Sequence, residues 1–381
     1  MHISIIANGF QEDYTEQLLN NLIGKAEKID FIGSSIHMGR NIHPSVRFFN
    51  LRGAHDEKVA FYKKMLRVLK YHIRLLCYIS TSKATVIHVQ WVRFPLVEGI
   101  LMTLFMQLLG KKVVYTVHDV LPHSKDNIYN RFIYRVLYSV QDQLIAHTHY
   151  IKNRIAAEFG IRPTKIHVIP HGVYERTDNP AITRESARIQ FDIDPSKFII
   201  LFFGFIAEYK GFDLLLKSIR KFPDKSRIQV LVAGRISADY EAEFRQLISD
   251  PHMKDNLILL LRFIRDDEIE PLFKAANVTA LPYREASQSG VLFMSYSYGI
   301  PVIVPALGGF PDDVVQGFNG YIFEKGNAES LLQAIIEISG DESLADEKRS
   351  NDIRRHAAEN YSWDKSCSMM LQVYKTSLGK N

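Results

Sequence analysis

A chain of 381 residues, 46% of them apolar, is long enough for two domains with a core each, and no stretch of it is of low complexity. Its two cysteines, Cys77 and Cys367, are too few and too far apart for a disulfide framework or a zinc site, which fits a reducing cytoplasm. Residues 1–7 lack the basic start of a signal peptide, and the longest apolar run, residues 100–109, is well short of the roughly 20 residues a membrane span needs.

Charge is uneven. Residues 1–175 hold 22 lysines and arginines against 13 aspartates and glutamates, and the rest of the chain is slightly acidic. In chain order, strands are predicted at residues 3–7, 28–33, 86–90, 112–117, 143–147 and 165–170, with helical periodicity filling most of the gaps. That alternation implies a parallel sheet with crossover helices. Within this half, residues 61–76 set Leu66, Leu69, Ile73 and Leu76 at helical spacing beside a cationic face, and residues 129–138 interleave Arg131 and Arg135 with aromatics. Each is either an ordinary surface helix with solvated cations or a helix lying on an anionic bilayer; nucleic acid is the weaker partner class. Residues 174–196, rich in Pro, Asp, Thr and Arg, read as a linker and lead-in. The second half repeats the style, with strands at 198–204, 228–233, 257–261, 278–281, 301–304 and 320–322 and a closing helix from about Trp363.

The richest stretch is Pro282-Tyr283-Arg284-Glu285-Ala286-Ser287-Gln288-Ser289-Gly290-Val291. A buried strand precedes it and a helix follows, so Ser287, Gln288, Ser289 and Gly290 fall at a helix N-terminus, where unpaired N–H groups and the helix dipole favour an anion. Val302-Ile303-Val304 and Gly308-Gly309-Phe310-Pro311 repeat the device, with two glycines that let backbone approach a ligand. A diphosphate is the anion that two such adjacent turns suit.

Together with Tyr298-Gly299-Ile300-Pro301, these motifs resemble the nucleotide-sugar site of retaining glycosyltransferases of family 4. The likeness extends over residues 85–381. It includes Lys165-Ile166-His167-Val168-Ile169-Pro170-His171-Gly172-Val173 between the domains and Phe203-Gly204-Phe205-Ile206-Ala207-Glu208-Tyr209-Lys210-Gly211 around a phosphate-binding lysine. Leu261-Arg262-Phe263-Ile264 matches the base-binding strand, and Tyr361-Ser362-Trp363 the closing helix. The resemblance implies an α/β chain of GT-B fold, two Rossmann-like doubly wound parallel-sheet domains facing a central cleft. Residues 1–175 would bind the acceptor, 176–362 the nucleotide sugar, and 363–381 would return to the first domain. It also implies that Lys210 neutralises the departing diphosphate, with Ser289, Gly290 and Val291 offering backbone N–H groups and Ser287 a hydroxyl, while Gly204 permits the tight backbone beside it. Phe263 and Ile264 would flank the base, and Gln288 and Ser289 would complete the donor turn.

Three departures stand out. The family usually has an arginine directly after the glycine at Gly204, where this chain has Phe205; Arg235, after the next strand, is either its replacement or an ordinary strand-end arginine. The family's glutamate pair is missing, with Ala286 and Met294 at its positions and Glu285 one residue early. Met294 cannot accept hydrogen bonds from ribose hydroxyls as a carboxylate does; Glu285 either binds sugar or ribose from a shifted backbone or caps the rim.

On the acceptor side, the resemblance implies that His118 hydrogen-bonds the donor sugar or its leaving group and that Asp119 orients ring or loop. His88, Gln90 and Trp91 are candidates for the acceptor floor, with Trp91 either stacked on a sugar or at the core edge. Asn8-Gly9-Phe10 keeps one glycine where the family often has two, leaving the Gly9 N–H for phosphate and Asn8 for the acceptor, while His171 shapes the hinge. No cleft carboxylate is placed as a nucleophile, and no acidic pair lies in a metal-binding loop, because Asp312-Asp313 sits at a helix start that favours negative charge. The expectation is a retaining, metal-independent hexosyltransferase without a cofactor, acting on a saccharide or lipid-linked saccharide in surface polysaccharide or glycolipid assembly. The basic first half would hold it at the cytoplasmic membrane face. A non-catalytic partner subunit and a sugar-nucleotide epimerase or hydrolase are the alternatives.

Overall fold

The computed structural model describes residues 1–7, 12–54, 60–121, 126–173 and 179–379. The chain divides into two units, Met1–Gly172 with Tyr361–Asn381, and Val173–Asn360.

In the first unit, β1 (His2–Ile6), β2 (Lys28–Gly33), β3 (Val46–Asn50), β4 (Val86–Val89), β5 (Lys112–Val117), β6 (Gln143–Ala146) and β7 (Ile166–Val168) form one parallel sheet. Its order is β3-β2-β1-β4-β5-β6-β7. The central strands are buried on both faces, which is why they read as mostly apolar runs, interrupted by His88 in β4 and Thr116 in β5. One face carries Tyr71, Leu75 and Ile79 of the helix Phe61–Thr81 together with Met102, Met106, Leu137 and Tyr138. The other is closed by the helices Glu12–Asn21 and Trp363–Ser377, with Tyr14, Leu18, Trp363, Cys367 and Met370 at its centre.

The second unit sets β8 (Phe198–Phe203), β9 (Ile228–Ala233), β10 (Leu257–Leu260), β11 (Val278–Ala280), β12 (Val302–Pro305) and β13 (Gly320–Phe323) in the order β10-β9-β8-β11-β12-β13, again all parallel. In both sheets the strand order reverses once, between β1 and β4 and between β8 and β11. The crevice beyond the carboxyl ends of the strands at such a reversal is where open α/β sheets bind ligands.

Two segments differ from the sequence expectation. β3 is an additional strand: it lies at the sheet edge with only Val46 buried, so Val-Arg-Phe-Phe-Asn shows neither alternation nor a continuous core run. Residues 174–196 are not all linker, for Arg184–Gln190 is a helix capped by Thr183. Its anchor is a polar residue, Arg188, whose guanidinium donates to Ala275 O at 3.1 Å, Pro195 O at 2.6 Å and Asn277 Oδ1 at 2.7 Å. Burial lowers that guanidinium to about 10. Among the described residues no helix is long and apolar enough to cross a membrane.

Candidate functional site

At the reversal in the second sheet, the short turn Glu208–Lys210 follows β8 and the segment 281–289 follows β11. Lys210 is buried, with its ammonium 3.5 Å from the Phe203 carbonyl and 5.3 Å from the centre of the Tyr283 ring. Burial lowers its pKa. No carboxylate pairs with it among the described residues, so a charge that would be costly alone is held ready for an anion. Gly204 faces it: its φ is 105°, and a Cβ there would stand 2.9 Å from Lys210 Nζ and 3.8 Å from Val291 Cγ2. A side chain at 204 would therefore fill the space beside the ammonium.

The facing turn is built to leave donors outward. Ser289 caps the helix Gly290–Ser297 without a side-chain cap bond and hydrogen-bonds Tyr283 instead. The first N–H groups of that helix, from Gly290 and Val291, are the ones without intrahelical acceptors. Gly309 N donates to Ser287 O at 3.2 Å, joining the two glycine- and serine-rich turns. Gly211, at φ 70°, lies so close to the Pro282 carbonyl that a Cβ would approach its oxygen to 2.1 Å. Arg284 then ties the turns together, donating to Asp213 Oδ2 at 2.7 Å and Glu208 O at 3.0 Å, while its backbone N–H reaches Tyr209 O at 2.7 Å. Sequence reasoning passed over Arg284 although it sits inside the motif, because its partner Asp213 lies 71 residues away.

Beyond β10, Phe263 is 63% exposed and Ile264 is buried. The Arg235 guanidinium lies 5.5 Å from the Phe263 ring centre. Glu285 is exposed and Gln288 partly so, both on the 281–289 turn.

In the first unit the strands on one side of the reversal deliver a histidine cluster. His118 after β5 and His147 after β6 have ring centres 5.1 Å apart, and His171 beyond β7 is 5.7 Å from His147. Tyr14 stands among them, 5.2, 5.6 and 5.1 Å from His118, His147 and His171, and 4.9 Å from Trp363. Trp91 lies 6.1 Å from His118. His88 is fully buried beneath, in contact through Nδ1 with Tyr374 Oη at 2.6 Å and through Nε2 with Thr116 Oγ1 at 2.7 Å; it supports Gln90, whose Nε2 is 3.1 Å from either ring nitrogen.

Burial pushes His88 and His171 down to about 3 and His147 to about 4, and holds His118 well below its ordinary value, each with help from a neighbouring ring in all cases but His147. All four are neutral at physiological pH. Gln90 Oε1, His147 Nε2 and Trp363 Nε1 are buried without a hydrogen-bond partner among the described residues, a costly state unless water or a ligand hydroxyl meets them. Asp119 stands next to His118 at the strand end. Asn8 and Gly9 lie outside the described residues. Tyr14 and His147 were not singled out from sequence, and Trp363 only as the start of the closing helix; the signal for the histidines was there, since β4, β5 and β6 and the run after β7 read His-Val-Gln, Val-His-Asp, Ala-His-Thr and Pro-His-Gly.

Comparison with known proteins decides the family. Residues 183–359 match the family described as glycosyl transferases group 1, and residues 12–175 match Glycosyltransferase Family 4. The chain belongs to glycosyltransferase family 4. A D-inositol 3-phosphate glycosyltransferase of Pseudarthrobacter chlorophenolicus is 26% identical over 243 residues, 63% of this chain and 57% of the relative, so the chain spans little more than half of that relative's length. Among solved structures, sucrose-phosphate synthase from Thermosynechococcus elongatus superposes with a TM-score of 0.80 at 17% identity, covering 100% of this chain and 99% of the other. Anabaena HepE in complex with UDP-glucose gives 0.77 at 16%, covering 99% and 100%. The fold is GT-B.

Within this chain the departures from the family pattern have structural counterparts. Phe205, where the family usually has arginine, is 52% exposed. Met294, at a glutamate position, is buried and packs in the apolar cluster with Phe273, Tyr298 and Ile300, so no ribose-binding group is available from that residue.

Proposed function

We propose that the chain is a retaining, metal-independent hexosyltransferase that moves a sugar from a nucleoside diphosphate to a hydroxyl of a saccharide or lipid-linked saccharide, in surface polysaccharide or glycolipid assembly. The observation that carries the donor half is the buried ammonium of Lys210, without a carboxylate partner among the described residues, beside Gly204 and the N-terminus of the helix Gly290–Ser297. As the sugar–phosphate bond breaks, negative charge grows on the leaving diphosphate, and Lys210 with the N–H groups of Gly290 and Val291 would stabilise it without reorganising. That HepE was solved with UDP-glucose supports a donor of this class.

Neutral His118, with Gln90, His147 and Trp91 around it, would hydrogen-bond sugar hydroxyls. With the front-face mechanism that the family implies, the departing phosphate oxygen takes the proton of the incoming hydroxyl as the new glycosidic bond forms on the same face, so no enzyme nucleophile is needed. The basic first unit would hold the protein at the cytoplasmic face of an anionic membrane.

The test is thermal stability against UDP, GDP, ADP, CMP and TDP compounds with their common sugars. A ligand that binds the native state raises the melting temperature by mass action. A shift with one base, lost in Lys210→Ala, is the expected result. No shift with any nucleotide would replace this reading with a non-catalytic subunit.

A further inference from the structure

The helix Phe61–Thr81 has three faces where folding needs two. Tyr71, Leu75 and Ile79 are buried against the sheet. Lys63, Arg67, Lys70 and Arg74 form an exposed cationic stripe. A further stripe, Tyr62, Met65, Leu66, Leu69, Ile73 and Leu76, is apolar and exposed, with Leu66 at 61%. At 3.6 residues per turn it is centred roughly 140° from the buried stripe, so it contributes nothing to the core.

Nor is it isolated. Glu98, inside the π-helix Pro95–Leu101, accepts from Arg93 N at 2.6 Å and lies 3.4 Å from His72 Nε2, which fastens that segment to the first helix. The segment and its continuation, Met102–Leu108, expose Leu96, Leu101, Leu104 and Leu108, the last at 85%. The neighbouring helix Ile128–Val140 packs against the same π-helix, since a Cβ at Gly99 would come within 2.4 Å of Leu137 Cδ1. It exposes Ile128, Tyr129 and Phe132. All three elements cover one face of the first sheet.

We infer that the outward faces of these three elements form one membrane-docking surface, on which apolar side chains enter the acyl region of an anionic bilayer while flanking cations meet its headgroups. The inference rests on the proposed membrane-facing acceptor reading and deepens it from charge attraction to insertion. Charge complementarity selects the occupant. Residues 61–81, 91–109 and 128–140 contain eight lysines and arginines and a single carboxylate, Glu98, which is buried. A second copy docked on the same face would set like charges opposite each other, as an isologous interface must, whereas anionic lipid neutralises them and accepts the leucines.

Flotation of the full chain with vesicles of phosphatidylcholine alone, and of phosphatidylcholine mixed with phosphatidylglycerol, tests this at low and high salt. The expected result is binding to the mixed vesicles that weakens but persists at high salt, and that falls at least roughly tenfold in Leu66→Ser/Leu69→Ser and in Phe132→Ser. Because these residues are exposed, the melting temperature should stay unchanged, which excludes misfolding. Binding abolished by salt and indifferent to the leucine variants would leave electrostatic contact and overturn insertion. Self-association without vesicles, lost in the same variants, would assign the face to a second copy. The nucleotide-induced thermal shift, read on the same samples, fails only if the transferase reading fails.

Discussion

On the proposed reading, the two units would meet ligand with different materials. At the reversal of the second sheet the groups are backbone N–H donors, glycines and one buried ammonium, held by contacts between two turns. At the reversal of the first they are side chains, four neutral histidines with Tyr14, Trp91 and Gln90. The diphosphate is shared by all nucleoside diphosphate sugars, so on that reading backbone geometry would serve for each of them, whereas an acceptor would be recognised by the positions of its hydroxyls, which side chains set. The second site is therefore transferable by motif and the first is not.

The sharpest way to break the contrast is Lys210→Met, which removes charge and keeps most of the volume. Loss of a preorganised charge at the leaving group costs about 2.7–4 kcal/mol, or roughly 10²–10³ in kcat. The same substitution should leave the ligand-free protein as stable or more stable, because it deletes a buried ammonium with no carboxylate partner among the described residues. Steady-state kinetics and a melting curve read both. A variant that loses stability and activity in parallel would make Lys210 a structural residue.

Acid should act on the first unit. His88, His147 and His171 sit at about 3 to 4 when folded against roughly 6.5 unfolded, so below pH 6.5 the unfolded chain binds more protons. The stability is complete above that value and is lost as pH falls, approaching about 1.4 kcal/mol per histidine per pH unit until the folded values are reached. Melting temperature should be level between pH 7 and 8 and drop steeply from 6.5 to 5, and the backbone amides around Tyr14, His118 and His147 should be the first to lose protection in hydrogen–deuterium exchange. A flat profile down to pH 5 would mean the rings are hydrated and not sealed.

What the sequence disclosed follows the same division. Most strands were legible because burial on both faces gives each a mostly apolar run, and β3 was not because an edge strand with one buried residue has no such run. The turn at Ser287 to Val291 was legible because all its groups are neighbours in the chain. The histidine cluster needed the sheet order: only when β4, β5, β6 and β7 lie side by side do His118, His147 and His171 converge on Tyr14, from a helix more than 100 residues earlier. Arg188 shows the other limit, for a polar stretch reads as linker until the carbonyls its guanidinium satisfies are known.

Arg284 offers a smaller and more discriminating test of the second site. Its bonds to Asp213 and Glu208 hold the Lys210 turn against the 281–289 turn. The guanidinium is 38% exposed, so solvent discounts the pair, and Arg284→Gln should cost about 1 kcal/mol, seen as a roughly fivefold rise in donor KM with kcat nearly kept. Asp213→Asn should give the same change, and the double variant no more than either alone. Additive losses would mean that Arg284 touches the donor itself.

The smallest effect is expected at Phe263, and it separates base from phosphate. An exposed ring flanked by a guanidinium is a stacking platform that any base can use, so Phe263→Ala should weaken nucleotide binding only about threefold and leave stability within about 0.5 kcal/mol. The loss should be equal for the mono- and diphosphate of the preferred nucleoside, whereas Lys210→Met should erase the preference for the diphosphate. Arg235→Ala then decides what the missing arginine of the family has become. If Arg235 acts through the Phe263 ring, 5.5 Å away, it will follow Phe263→Ala and weaken both nucleotides alike. If it reaches the phosphates, it will follow Lys210→Met, and the loss will deepen at low salt, where an unscreened cation is worth most.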